Sequence, residues 1–186
     1  MDNYYLYIGR LSEEKGIINL VNAWKKYVVT HSDEWLYICG DGPKKETLER
    51  ILLQNSKLPL NISILGIQPR DLIFEYISKA KAVVIPSICY ETGPLTMIES
   101  FSMGIPVICS DLGNMGYTII EGENGAKFDP LSADSIVDAI NRFNTYDYEK
   151  LRKTALLHLK RNFQKRRIWN CLERYMSRGK YTSNNI

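Results

Sequence analysis

Residues 82 to 110 read AVVIPSICYETGPLTMIESFSMGIPVICS. Two runs within them, AVVIP (82–86) and PVICS (106–110), are apolar nearly throughout. Such runs suit strands buried on both faces, as in a parallel sheet covered by helices. Between them PLTMIESFSM opens on Pro94, and proline is at home in the first turn of a helix. At roughly 100° per residue, Met97, Ile98 and Phe101 share a core face, while Glu99 falls on another side near Leu95.

The alternation continues in both directions. Further strands are expected at YYLYI (4–8), WLYIC (35–39), NISIL (61–65) and AKF (126–128). Helices are expected at GIINLVNAWKKYV, with Ile17, Leu20, Val21 and Trp24 on one face, at PKKETLERILLQ from Pro43 and at PRDLIFEYISKA from Pro69. Gly113 and Asn114 open a short helix, and SADSIVDAINRF opens with Ser132 as an N-cap. DYEKLRKTALLHLKRNF and QKRRIWNCLERYMSR read as two helices or one broken helix. Strand then helix, about six times over, predicts a doubly wound, Rossmann-like α/β domain over residues 1–180 with C-terminal helices. Residues 181–186 are expected to be a disordered tail.

The bulk properties exclude several classes. The 186 residues suit one domain with a full core, and no apolar run approaches membrane-spanning length. MDNYYLYIGR has no basic region leading into an apolar stretch, so it does not read as a signal peptide. Cys39, Cys89, Cys109 and Cys171 are widely spaced, which predicts a reducing, cytoplasmic setting without disulfide or zinc. The net charge of +3 divides into −7 over residues 1–149 and +10 over residues 150–186. The basic end reads either as a surface facing an anionic membrane or another domain, or as the solvated face of helices.

In doubly wound sheets ligands bind outside the carboxyl ends of the strands. The first such loop is GRLSEEKG (9–16). Gly9 lets the chain leave the strand tightly, and Arg10 and Lys15 flank the next helix. Two cations beside a helix N-terminus make an anion site; alternatively this is a surface loop in which Lys15 pairs with Glu13 or Glu14. The loop is not G-x-G-x-x-G, and no P-loop occurs, so dinucleotide and P-loop ATPase readings are disfavoured. GDGP (40–43) and LGIQP (65–69) are plain turns or places of close backbone approach at Gly40, Leu65 and Gly66. Past Pro94 the amides of Leu95 and Thr96 have no partner within the helix and can face a phosphate. Glu91 lies at the mouth of that helix and Glu99 within it; they are either exposed glutamates or acceptors for sugar hydroxyls. His31 and His158 lie away from the strand edge, and neither a histidine base nor a metal set is expected.

Together YIGRLSEEKGI, ICGDGP, ISILG and PSICYETGPLTMIESFSMGIPVICSDLGNMGYTIIEGENGAKFDP resemble the C-terminal half of retaining, family-four-type glycosyltransferases (glycosyl transferases group 1) with the GT-B fold. The resemblance implies a domain that holds a nucleotide-diphosphate sugar. It assigns the diphosphate to the counterparts of Arg10 and Lys15, the ribose hydroxyls to Glu99 and the transferred sugar to Glu91. Leu95 and Thr96 amides reach phosphate and sugar, and Leu65 and Gly66 line the base pocket. Glu91, Arg10 and Lys15 are the catalytic candidates; Gly9, Gly40 and Gly93 complete the donor-binding set. Two departures stand out: Gly93 where many members carry an aromatic residue, and Ser100 where alanine is usual.

The family implies no metal and no cofactor, because the sugar nucleotide is itself the substrate. It implies an acceptor glycan or glycolipid bound through an N-terminal domain, here absent, so the chain is expected to be a piece of a longer enzyme and inactive alone. Trp169, Tyr175, Lys165, Arg166 and Arg167 are expected to pack on that domain. Bacterial surface polysaccharide assembly at the inner face of the membrane, with peripheral membrane contact and no nucleic acid, is the implied setting. The alternatives are a non-catalytic sugar-nucleotide-binding module and another GT-B enzyme such as a sugar-nucleotide epimerase.

Overall fold

The computed structural model describes residues 2–54, 60–91 and 93–162, the last three of these by backbone alone. Six strands, β1 (Tyr4–Ile8), β2 (Trp35–Cys39), β3 (Ile62–Gly66), β4 (Ala82–Ile85), β5 (Val107–Ser110) and β6 (Gly125–Phe128), form one sheet. All its pairings are parallel and its order is β3-β2-β1-β4-β5-β6. The expected Rossmann-like α/β sheet is therefore present, with its order reversing between β1 and β4.

Strand β1 explains why the sheet needs helices on both faces. Tyr5 and Tyr7 enter one core with Leu20, Trp24, Ile136 and Ile140 from α1 (Ile17–Tyr27) and α6 (Ala133–Phe143). Tyr4 and Leu6 enter the other with Ile77, Phe101 and Leu159 from α3 (Arg70–Lys79), α4 (Leu95–Ser102) and α7 (Tyr148–Asn162). Helices α2 (Lys45–Gln54) and α5 (Gly113–Thr118) complete the layers. Met97, Ile98 and Phe101 are buried as the helical period predicts. Ser132 caps α6, its hydroxyl accepting from the Ser135 amide at 3.1 Å.

Several boundaries shift. The third strand runs 62–66 rather than 61–65, because a bulge between Ile38 and Cys39 pairs Cys39 with Gly66. The three prolines stand before their helices rather than in the first turn. Pro69 and Pro94 are N-caps with ψ of 147° and 125°, and α2 begins two residues after Pro43. The second C-terminal helix, Trp169, Tyr175, the Lys165–Arg167 cluster, Cys171 and the expected tail lie outside the described residues.

At the amino pole of the sheet a buried polar chain ties four elements together. Tyr5 donates to Asn144 at 2.7 Å, Asn144 donates to the Tyr27 hydroxyl at 2.7 Å, and Tyr27 donates to Glu34. Lys81 neutralises Glu34, which is 5% exposed. Tyr27→Phe removes one donor and one acceptor from this chain. It is expected to cost about 1–2 kcal/mol, read as a lower urea midpoint at unchanged slope.

Candidate functional site

Strand order reverses between β1 and β4, and the candidate site lies in the crevice at the carboxyl edge of the sheet where the loops after these two strands meet. Loop 9–16 ends in a short 3-10 turn, Glu13–Lys15, and Gly16 in the left-handed region at φ 65°. Gly16 packs directly on the Pro86 carbonyl; a β-carbon there would lie 1.8 Å from that oxygen. The Ile88 amide donates to the Glu14 carbonyl at 2.9 Å, so the two loops are joined by backbone as well as packing.

Lys15 and Glu91 meet across this junction, Nζ to Oε1, at 2.9 Å. The sequence left open a pairing of Lys15 with Glu13 or Glu14. Instead Glu13 pairs with Lys44, and Glu14 accepts from the Ser12 hydroxyl at 2.6 Å. Ser87, 1% exposed, also donates to Glu91 Oε1. Glu91 is thus a held acceptor, its side chain 15% exposed, rather than a surface charge. Tyr7 donates to the Arg10 carbonyl at 2.7 Å and fixes the loop from below, leaving Arg10 exposed. Burial, then the fields of Glu91 and Glu14, push the Tyr7 phenol well above its ordinary range, so it stays a donor.

Helix α4 supplies the other side. Its first intrahelical bond runs from the Met97 amide to the Pro94 carbonyl at 3.0 Å, so the Leu95 and Thr96 amides precede the ladder, as expected. Glu99, left open by the sequence between an exposed charge and an acceptor, has a side chain 15% exposed, and its Oε1 lies 3.2 Å from Arg70 Nη2. Burial pushes the Glu99 carboxyl up, and Arg70 opposes that. Gly93 has a φ of 157°, and a β-carbon there would meet open space.

The remaining candidates hold more local positions. Gly9 donates its amide to the Cys39 carbonyl at 3.0 Å, and Gly40 packs its α-carbon against the Gly9 carbonyl. Leu65 and Gly66 end β3 as half-buried residues rather than forming a loop after it. His31 stacks on Tyr27 with ring centroids 4.1 Å apart, and His158 packs edge-on against Phe101.

Three residues of the site were not singled out from sequence: Ser87, Arg70 and Tyr7. Arg70 did leave a signal. A cation in the first turn of a helix opposes the dipole, which points to a partner elsewhere. Ser87, a hydroxyl directly after an apolar strand, left a weaker one.

A separate open cleft of about 790 Å³ lies one strand over, at the ends of β5 and β6, and touches the β4 loop at Ile88. Two ion pairs line it, Lys127 with Asp111 at 3.4 Å and Arg142 with Glu121 at 3.2 Å, with Asp129 beside them. Among the described residues there is no cluster of three or more metal-ligating side chains, and no helix is long and apolar enough to cross a membrane. The crevice therefore offers cations and helix amides to an anion, with two half-buried carboxylates beside them for hydroxyls.

Comparison with known proteins identifies the family and the fold. The family model described as "Glycosyl transferases group 1" matches residues 1–155. The lipopolysaccharide 1,2-N-acetylglucosaminetransferase of Salmonella typhimurium is 29% identical over 144 residues, covering 74% of this chain and 38% of that protein. The C-terminal domain of a glycosyl transferase group 1 family protein from Francisella tularensis superposes with a TM-score of 0.76 at 20% identity, covering 87% of this chain and 86% of that one. Anabaena HepE, solved in complex with UDP, gives a TM-score of 0.76 at 18% identity over 96% of this chain and 49% of its own. The chain spans well under half the length of the curated relatives it matches.

Proposed function

The chain belongs to the glycosyl transferases group 1 family, and from that premise we propose that its crevice holds the nucleoside diphosphate of a sugar nucleotide. The observation that carries this reading is the meeting of Lys15 and Glu91 at 2.9 Å across the β1–β4 crevice, beside the open amides of α4. A diphosphate takes up the Lys15 charge, the exposed Arg10 and the Leu95 and Thr96 amides. Glu99 accepts ribose hydroxyls and Glu91 lies at the sugar. Gly9, Gly40, Leu65, Gly66 and Gly93 shape the backbone around the ligand. The donor-binding unit is residues 1–180.

The whole protein then transfers the sugar to an acceptor hydroxyl with retention at the anomeric carbon. The bond from that carbon to the diphosphate breaks, a bond to the acceptor oxygen forms, and the proton of the acceptor hydroxyl passes to the departing diphosphate. Arg10, Lys15 and the helix amides stabilise the charge that grows on the departing diphosphate, and fixed donors of this kind act most strongly where charge develops. Neither a metal nor a further cofactor has a part in this scheme. The acceptor, a glycan or glycolipid, is held by a second domain, and this chain alone turns nothing over. The name of the Salmonella relative supports bacterial surface polysaccharide assembly as the setting. The +10 charge of residues 150–186 suits peripheral contact with the inner face of the membrane.

A thermal-shift panel of UDP, GDP and ADP tests the reading. One of them is expected to stabilise the chain by about 2.7 kcal/mol at a hundred times its dissociation constant. Glu99→Ala is expected to weaken the nucleoside as well as the diphosphate, whereas Arg10→Ala weakens the diphosphate alone. Unchanged affinity in both variants overturns the assignment.

A further inference from the structure

Glu99 is held by a residue that the sequence placed in no functional role. Arg70 opens α3, its side chain 60% exposed, yet its guanidinium meets both Glu99 and Phe74. One Nη2 lies 3.2 Å from Glu99 Oε1, and the Cζ stands 5.7 Å over the ring of Phe74, which is itself buried. The Phe74 ring, one turn along the same helix, fixes the approach of the arginine. Glu99 arrives from α4, which packs against α3 on the same face of the sheet. Its Oε2 has no partner among the described residues.

We propose that Arg70 is a positioning residue for Glu99: it holds one carboxylate oxygen and turns the carboxylate to accept the paired hydroxyls of a ribose. This rests on the function proposed above for the same crevice, and it adds the residue that selects ribose over deoxyribose. The ion pair serves the ligand rather than the fold. An exposed arginine adds little stability, and its place at a helix N-terminus opposes the dipole. What the arginine does supply is charge beside a half-buried carboxylate. Burial raises the Glu99 carboxyl and Arg70 lowers it, and Arg70 is the charged group that faces it among the described residues.

The sign of the pH effect follows. An ionised carboxylate accepts on both oxygens, whereas a protonated one spends one oxygen on its own proton. A ligand that needs the ionised form binds less well as pH falls through the carboxyl's pKa. Without Arg70 burial is unopposed, so that loss begins at higher pH.

Titration calorimetry with UDP, GDP or ADP, whichever binds best, and with its 2′-deoxy counterpart tests this between about pH 5 and 8.5. Arg70→Gln keeps hydrogen-bond donors but removes the charge. It is expected to bind roughly tenfold more weakly than the parent chain near pH 5.5, to come closest to the parent at the alkaline end, and to lose discrimination against deoxyribose on the acid side. Arg70→Lys restores the charge and is expected to restore the acid limb. An Arg70→Gln profile parallel to the parent's at every pH overturns the role of Arg70 and leaves the crevice reading standing. Failure of the parent chain to bind any of the three nucleotides overturns both.

Discussion

Gly16→Ala is expected to cost about 2–5 kcal/mol of stability and to remove ligand binding with it. The left-handed φ of 65° accounts for roughly 1–2 kcal/mol of that, because an L side chain there crowds its own backbone. The larger part is steric. The new β-carbon would stand 1.8 Å from the Pro86 oxygen and 2.8 Å from its carbonyl carbon, and both are backbone atoms that no rotamer change can move. Relief therefore means separating the loops after β1 and β4. That breaks the Ile88–Glu14 bond and draws Lys15 away from Glu91. Gly66→Ala is the matched control. Its φ is 69°, but a β-carbon there has nothing within 4 Å, so it is expected to lose only the roughly 1–2 kcal/mol of backbone strain. Urea denaturation of the two variants separates the terms. Equal losses would mean that the β1 and β4 loops are not rigidly joined.

The contrast between these glycines marks what a sequence can carry. Gly16 and Gly66 look alike in the chain, each a glycine at the end of an apolar or amphipathic run, and they differ by what lies opposite from another strand. The strands were legible because burial on both faces leaves near-continuous apolar runs such as AVVI and VICS. Their order was not. Nothing local in YYLYI says that it lies beside Ala82 and Val83, more than seventy residues on. The same limit governs the site. Helical period placed Glu99 off the core face, and the proline before α4 announced free amides. Local spacing, however, offered Lys15 two glutamates at one and two residues' distance, and the fold gave it Glu91 instead. Arg70 signalled only that it has some partner; which one was hidden for the same reason, because that partner comes from the next helix on the face.

Lys15→Ala is expected to weaken a nucleoside diphosphate by about 10- to 100-fold, the worth of one charge-assisted contact, while leaving the bare nucleoside unchanged. Its partner has the opposite sign. Glu91 pairs with the Lys15 ammonium at 2.9 Å, so a diphosphate must share that cation with a carboxylate. Glu91→Gln removes the competing charge but keeps an oxygen for Lys15 and Ser87. It is expected to bind the diphosphate as tightly as the parent or more so, and to lose the added affinity that a sugar nucleotide has over the diphosphate. The two substitutions share one contact, so their effects should not add. In the double variant the gain from Glu91→Gln disappears, because there is no longer a lysine to release. Isothermal titration of nucleoside, diphosphate and sugar nucleotide against the four proteins of this cycle measures each difference. Additive effects would place the diphosphate away from Lys15. A loss of diphosphate affinity in Glu91→Gln equal to that in Lys15→Ala would make the pair a structural clamp between the β1 and β4 loops rather than a ligand site.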